Sequence, residues 1–318
     1  MDGKIFINIA SYKDPLLFAT IKGAVKNAMR PEALVFGVVD QGHHAQHEAV
    51  ADLPFAKQVR YVFVDARDTL GACWARSLGQ SLYDGEQFYM QLDSHMSFVP
   101  GWDSILRDHH DKLLAREPKP IITTYPHGFT IEDGIVKHNC GLDTDSVLVI
   151  RPCKDSVPTP EKCAINIQAY HLNTTQAVIG CHIAAGFVFC DGKFVEEVPY
   201  DPFMYFHGEE HALAARAFTH GWCIFHTPMV PVFHLYKEPN KHYDSHHWAG
   251  PINDKRSFTP TELTERSNKR LERLLRGDGL PGAYGLGKVR SIEDFYAISG
   301  INYRTNTVTD IFNGRLNP

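Results

Sequence analysis

The apolar positions of the chain change period several times in its first 125 residues. Residues 5–10, Ile-Phe-Ile-Asn-Ile-Ala, are apolar and β-branched and read as a buried strand. Asp14-Pro15 then offers a capping residue followed by proline at a first helical position. Leu17, Ile21, Ala24, Val25 and Ala28 repeat at helical spacing until Pro31 stops them. Leu34–Val39 and Tyr61–Val64 read as strands, and Gln41–Pro54 as a polar loop with a short helix. Leu70–Tyr83 reads as a helix, Phe88–Leu92 as a strand, Trp102–Ala115 as a helix and Ile121–Thr124 as a further strand. Such alternation predicts an α/β fold with a mostly parallel sheet covered on both faces, an architecture of nucleotide-binding type.

Residues 126–200 are less regular, with turn signals at Glu132-Asp133-Gly134 and Asp191-Gly192-Lys193 between short β-rich runs. Met204–Gly221 reads as a helix, Cys223–Phe225 as a strand, and 237–258 as a polar, His- and Asn-rich loop. Thr259-Pro260-Thr261-Glu262 is a capping box opening a helix that carries Leu263, Leu271, Leu274 and Leu275 and stops at Gly277.

Composition narrows the class. The 318 residues are 43% hydrophobic and 22% charged, with a net charge of -5, so the global basic surplus of a nucleic-acid binder is missing, although a local groove stays open. No stretch approaches the ~18 apolar residues of a membrane span, and the start lacks a signal-peptide core, so the expectation is a soluble, cytoplasmic chain. Seven dispersed cysteines without a Cys-x-x-Cys pair read as reduced thiols. Eighteen histidines cluster at 43, 44 and 47, at 109 and 110, and at 242, 246 and 247; the plain reading is polar loop and helix surface.

Four segments could carry chemistry. Phe88-Tyr89-Met90-Gln91-Leu92-Asp93-Ser94-His95 runs an apolar strand into Asp-x-His at the sheet edge where α/β proteins bind ligands. Asp93 and His95, two apart, project to one side and can share an ion, of which manganese suits the mixed donors; both are also ordinary loop residues. Arg76, one helix upstream, reads as a phosphate ligand or as part of a solvated helix face. Glu209 and Glu210 open a helix, where its dipole favours them whether or not they touch a substrate; about 100° apart, they predict that only one faces a site. His234, among Val232, Phe233 and Leu235, reads as a core histidine unless a metal is near.

In that order the segments resemble metal-dependent GT-A glycosyltransferases, with a Rossmann-like nucleotide-binding fold. Ala184–Phe194 with Phe206-His207-Gly208-Glu209-Glu210 is similar to the acceptor-side motif of polypeptide N-acetylgalactosaminyltransferases. Ile9–Pro15, Gln91–Met96, Phe98–Asp103, Tyr284–Gly287 and Arg290-Ser291 resemble glycosyltransferase family 60, the group typified by the hydroxyproline N-acetylglucosaminyltransferase of Skp1. The resemblance implies a single domain: a nucleotide-sugar half at 1–125, an acceptor-side half at 126–240 and a helical C-terminal extension at 241–318. It implies Mn2+ (or Mg2+) held by Asp93, His95 and His234, and a UDP-sugar donor contacted by Ser11, Arg76, Asp93 and Ser94. Ser11 is expected in the loop after the first strand, and Glu209, with Glu210 beside it, near the transferred sugar. His207 stands where those relatives have glycine, so sugar and acceptor choice do not carry across. The implied activity is retaining transfer of a sugar, N-acetylglucosamine first, to a hydroxyl, on a protein or on a polysaccharide, lipid-linked sugar or hydroxymethylated DNA; an inactive nucleotide-sugar binder and a homo-oligomer stay open.

Overall fold

In the computed structural model, residues 3–153, 155–159, 161–236, 246–248, 255–280 and 282–309 are described. The order is β1 (Ile5–Tyr12), α1 (Leu17–Asn27), β2 (Leu34–Gly42), α2 (His47–Ala51), β3 (Val59–Asp65), α3 (Ala72–Gln80), β4 (Phe88–Asp93) and β5 (Met96–Phe98). Next come α4 (Trp102–Leu114), β6 (Pro120–Thr123), β7 (Phe129–Glu132), β8 (Ile135–His138), β9 (Ser146–Pro152), β10 (Ile167–Asn173), β11 (Val178–Gly180) and β12 (Phe187–Asp191). The chain continues through α5 (Phe194–Glu197), α6 (Glu209–Thr219), β13 (Cys223–His226), β14 (Val232–His234), α7 (Pro260–Leu275), α8 (Ile292–Ser299), β15 (Ile301–Asn302) and β16 (Thr307–Val308).

Eight strands form the central sheet in the order β11-β13-β6-β12-β4-β1-β2-β3. Neighbours from β4 through β1 and β2 to β3 are parallel, as are β6 and β13. β12 lies between β4 and β6 and is antiparallel to both, a central reversed strand that the short run at 187–191 does not announce.

Alternation along β1 and β4 divides the core. Ile5, Ile7, Ile9, Phe88, Met90 and Leu92 face α1 and α4, where Trp102 is fully buried and donates its ring N–H to the Ala24 carbonyl. Phe6 and Tyr89 face the opposite layer, which Leu271, Leu274 and Leu275 of α7 and Phe295 of α8 share with α6. On this second face the register Asn8↔Gln91 also sets two buried amides side by side. Asn8 donates to the Arg76 carbonyl and the Tyr89 hydroxyl, and Gln91 to the Ala185 carbonyl and the Tyr200 hydroxyl. α3 passes so close that a Cβ on Gly79 would lie 2.1 Å from Asn8 Oδ1.

Several boundaries differ from expectation. α1 begins at Leu17, later than a cap at Asp14 implies, but Asp14 Oδ1 does accept the Leu16 amide and so caps the turn that leads into the helix. α6 starts at Glu209 rather than Met204, because Gly208 at φ +91° takes a left-handed turn where a Cβ would meet Leu271 Cδ2 at 2.3 Å. Asp133 and Gly134, both at positive φ, make the two-residue turn of the β7–β8 hairpin. His43, His44 and His47 are exposed as expected, but His110 is buried against Phe88 and Phe189, and His247 is buried too. His242 and most of the 237–258 loop lie outside the described residues.

Candidate active site

The parallel strands β1 and β4 end together, with Ala10 opposite Asp93. After Asp93 the chain turns through Ser94 and His95 into β5, which pairs antiparallel with β14 in a register that sets Met96 opposite His234. This short ladder closes a contact between residues 139 apart in sequence: His95 Nε2 and His234 Nε2 are 3.0 Å apart. His234 Nε2 also lies 3.2 Å from Asp93 Oδ2. Ligand atoms of Asp93, His95 and His234 all fall within 4.8 Å of one another. Gly186 makes room for the carboxylate, since a Cβ there would stand 2.7 Å from Asp93 Oδ2.

Two neighbours orient this triad. Asp14, its side chain 1% exposed, accepts at Oδ2 from His95 Nδ1 (2.7 Å) and from Ser94 Oγ (2.8 Å), and at Oδ1 from the Leu16 amide. Because a carboxylate only accepts, His95 Nδ1 carries the proton and Nε2 offers a lone pair toward His234. Arg76, expected on a phosphate or a solvated face, is buried: Nη2 donates to Asp93 Oδ1 at 2.7 Å and Nη1 pairs with Glu209. Burial opposes the Arg76 charge, yet Glu209, Tyr200 and Asp93 outweigh it and hold the guanidinium well above its ordinary value. Burial likewise works against the Asp93 carboxylate, but the His234 hydrogen bond and the charge of Arg76 bring it far below the usual range.

The donor set fits a divalent cation. Two ligands at about 2.1 Å in adjacent octahedral positions stand roughly 3.0 Å apart, which is the spacing of the two imidazoles. Two ring nitrogens, one carboxylate oxygen and an orienting carboxylate behind the first histidine form a set that suits manganese or a similar ion.

Cavities open on both sides of the triad, and Arg76, Asp93 and His234 line both. The smaller, about 310 Å3, is bounded by Tyr12, Asp14, Gln41, Gly71, His247 and Trp248. The larger, about 710 Å3, runs past Tyr125, Lys162, Glu209, Glu210, Tyr236 and Asn268. Both glutamates therefore face it, against the expectation of one. Glu209 is held by Arg76 and the Tyr200 hydroxyl, and Glu210 by the Tyr125 hydroxyl and the Ala185 amide. Burial pushes Glu210 up to about 7, against the lowering effect of those two donors.

Ser11 is a correction. It belongs to β1, opposite Asp40, and is fully buried rather than in the following loop; its neighbours Ala10 and Tyr12 line the smaller cavity while its own side chain does not. Ser94 lines that cavity but spends its hydroxyl on Asp14. Asp14, Tyr125 and Tyr200 are the site residues that the sequence pattern leaves unmarked. Tyr125, two positions beyond β6 at the sheet edge, had a positional signal; Asp14 meets His95, and Tyr200 meets Arg76 and Gln91, across long sequence separations, and neither had one.

A mainly parallel sheet whose strands end at a three-ligand cluster between two cavities has its site where open α/β sheets bind ligands, and the fold is of the GT-A glycosyltransferase type by its likeness to the structure of GalNAc-T7 described next. The family model Glycosyltransferase (GlcNAc) matches residues 4–54 and 42–305, and the chain belongs to that family. Among solved structures it is similar to GalNAc-T7 with UDP, GalNAc and Mn2+, at TM-score 0.60 and 14% identity over 92% of this chain and 54% of that one. The chain thus spans about half the length of that relative. A weaker likeness, at TM-score 0.44 and 10% identity over 85% of this chain and 72% of that one, is to S. aureus TarS 1–349 in complex with UDP-GlcNAc. No curated protein matches the sequence. Among the described residues no helix is long and apolar enough to cross a membrane.

Proposed function

We propose that the chain transfers N-acetylglucosamine from UDP-N-acetylglucosamine to an acceptor hydroxyl on a protein, with retention of anomeric configuration, as a relative of the family 60 enzyme that modifies Skp1. The observation that carries this reading is the Asp93–His95–His234 cluster standing between two cavities that meet at Arg76. Asp93, His95 and His234 would hold a divalent cation, Mn2+ or Mg2+, which would supply Lewis-acid stabilisation of diphosphate charge.

The chain's own residues supply the rest. Gly71 and Ala72 at the start of α3 bring the positive end of a helix to the smaller cavity, which favours phosphate oxygens. Tyr12 and Trp248 give this cavity aromatic surface for the base. The sugar crosses toward Glu209, whose Oε1 accepts from both Arg76 and the Tyr200 hydroxyl, and which we assign to orienting the sugar. The acceptor hydroxyl enters from the larger cavity and attacks on the face the diphosphate leaves. The bond from the anomeric carbon to the acceptor oxygen forms as that to the β-phosphate oxygen breaks, and the hydroxyl proton passes to the departing phosphate. We assign residues 1–125 mainly to the donor and 126–240 to the acceptor, while α7 and α8 complete the layer over α6. We place the protein in the cytoplasm, in line with seven free thiols.

UDP release from UDP-N-acetylglucosamine with manganese, followed by mass spectrometry of the acceptor, tests the reading. Turnover should vanish in Asp93→Ala, and full activity in that variant refutes the site. A glycosyl adduct trapped on Glu209 or Glu210 refutes same-face attack.

A further inference from the structure

A second cavity system lies outside the cleft, behind α7. Its volume is about 520 Å3, and Arg266, Lys269, Arg270 and Arg273 of α7 form one wall. At i, i+3, i+4 and i+7 these positions share one helix face, so four cations project into one hollow of a chain whose net charge is -5. Arg270 is matched by Asp201 at 2.5 Å. Arg266, Lys269 and Arg273 have no carboxylate in ion-pair contact among the described residues, and all three are exposed. The floor is apolar, with Leu70, Met204, Leu263 and Leu280, and Phe203 stands 64% exposed at the rim under the Arg270 guanidinium.

The packing of α7 does not require the charges of Arg266, Lys269 and Arg273, whereas Arg270 pairs with the buried Asp201. Leu271, Leu274 and Leu275 bury the helix, and its capping box holds the N-terminus. Nor is the cavity remote from the cleft. Tyr205 lines both this cavity and the smaller one beside the triad, while Thr264 and Asn268, on another face of α7, line the larger one. One helix thus separates a basic hollow from the place where an acceptor would react.

We propose that this hollow binds an acidic, extended peptide segment of the acceptor protein. Charge complementarity selects an anion, and the apolar floor selects a peptide over a phosphate backbone. Cations one helical turn apart are separated by about 5.4 Å along α7, close to the roughly 6.6 Å between alternate side chains of an extended strand. A segment alternating acidic and apolar residues would set its acids against Arg266, Lys269 and Arg273 and its apolar side chains on the floor. The peptide being an acceptor segment rests on the sugar-transfer reading; its binding does not.

The test is fluorescence polarisation with a labelled hexapeptide of alternating aspartate and leucine, which carries no side-chain hydroxyl. Wild-type protein should bind it more tightly than the same peptide with lysine for aspartate, and added salt should weaken binding. R266E/K269E/R273E should lose about ten-fold or more in affinity for the acidic peptide, while UDP binding and donor hydrolysis stay unchanged. If that variant does not fold, R266Q/K269Q/R273Q should show a smaller loss in the same direction. Equal binding by folded variant and wild type, no wild-type binding at millimolar peptide, or tighter binding of a hexanucleotide or of phosphatidylserine vesicles overturns the proposal. Failure of the sugar-transfer reading is seen separately, as absent UDP binding with peptide binding intact.

Discussion

Asp14→Asn isolates the part of the site that sequence spacing leaves invisible. The carboxylate is buried, and its Oδ2 serves two donors, His95 Nδ1 at 2.7 Å and Ser94 Oγ at 2.8 Å, while Oδ1 takes the Leu16 amide at 2.9 Å. An asparagine of the same shape has one acceptor oxygen. If that oxygen stays with the Leu16 amide, the new NH2 faces His95 and must donate to Nδ1. The histidine proton then moves to Nε2, which points at His234 and at the cation position. A lone pair becomes a proton at the ligand atom, with little change in packing. Loss of such an orienting partner costs about 10–100-fold in metal affinity, or roughly 1.4–2.7 kcal/mol. Titrating Mn2+ and following the signal of the free ion by electron paramagnetic resonance measures this directly, without an activity assay. Ser94→Ala, which removes only the neighbouring donor, should bind nearly as wild type. If Asp14→Asn binds Mn2+ like wild type while His95→Ala does not, the orienting role is wrong.

Arg76→Met leaves Glu209 buried and Asp93 part-buried without their shared cation, so we expect a loss of about 3 kcal/mol in denaturant unfolding, partly recovered by added Mn2+ at the Asp93 side. Gly79→Ala drives a methyl into Asn8 Oδ1 and displaces its two buried hydrogen bonds; about 2–3 kcal/mol should be lost, with urea midpoints as the measure. Glu210 is raised by burial from 4.5 to about 7, so the folded state holds its proton longer than the unfolded chain. Its contribution is fully present below pH ~4.5, declines as pH rises to about 7, and amounts to roughly 3 kcal/mol across that window. The melting temperature of Glu210→Gln should accordingly lack the fall between those values that wild type shows; parallel profiles for the two proteins would contradict the assignment.

The parts of this molecule that a linear pattern reveals are those whose cause is local. β1, β2, β4 and α4 follow from apolar periodicity, and the α7 capping box from four adjacent residues. Asp93 and His95 are legible as a pair because a strand end sets their geometry within three residues. His234 is not: alone among apolar neighbours it is indistinguishable from a core histidine until the β5–β14 ladder sets it against His95. β12 is obscured for a similar reason, since nothing in Phe187–Asp191 says that the strand reverses direction between β4 and β6. Asp14 combines a local role with a long-range one: Oδ1 caps the turn into α1 through the Leu16 amide, as Asp-Pro predicts, while Oδ2 goes to His95 and Ser94, which no spacing announces.

Arg76 joins the cation position to the sugar-facing carboxylate. Read by type and position, an arginine before the metal strand suggests a phosphate ligand; in the fold it lines both cavities while its Nη2 donates to Asp93 Oδ1 and its Nη1 to Glu209. That division has a chemical consequence. With Oδ1 held by Arg76, Asp93 turns only Oδ2 toward His234, so the carboxylate is set to ligate a cation through one oxygen. The same guanidinium fixes Glu209 on the far side, tying the cation position and the sugar-facing carboxylate to one rigid fork. A lysine could neutralise either carboxylate but not span both in fixed geometry. The residue's contribution is thus position as much as charge, and position depends on three segments brought together only in the folded chain.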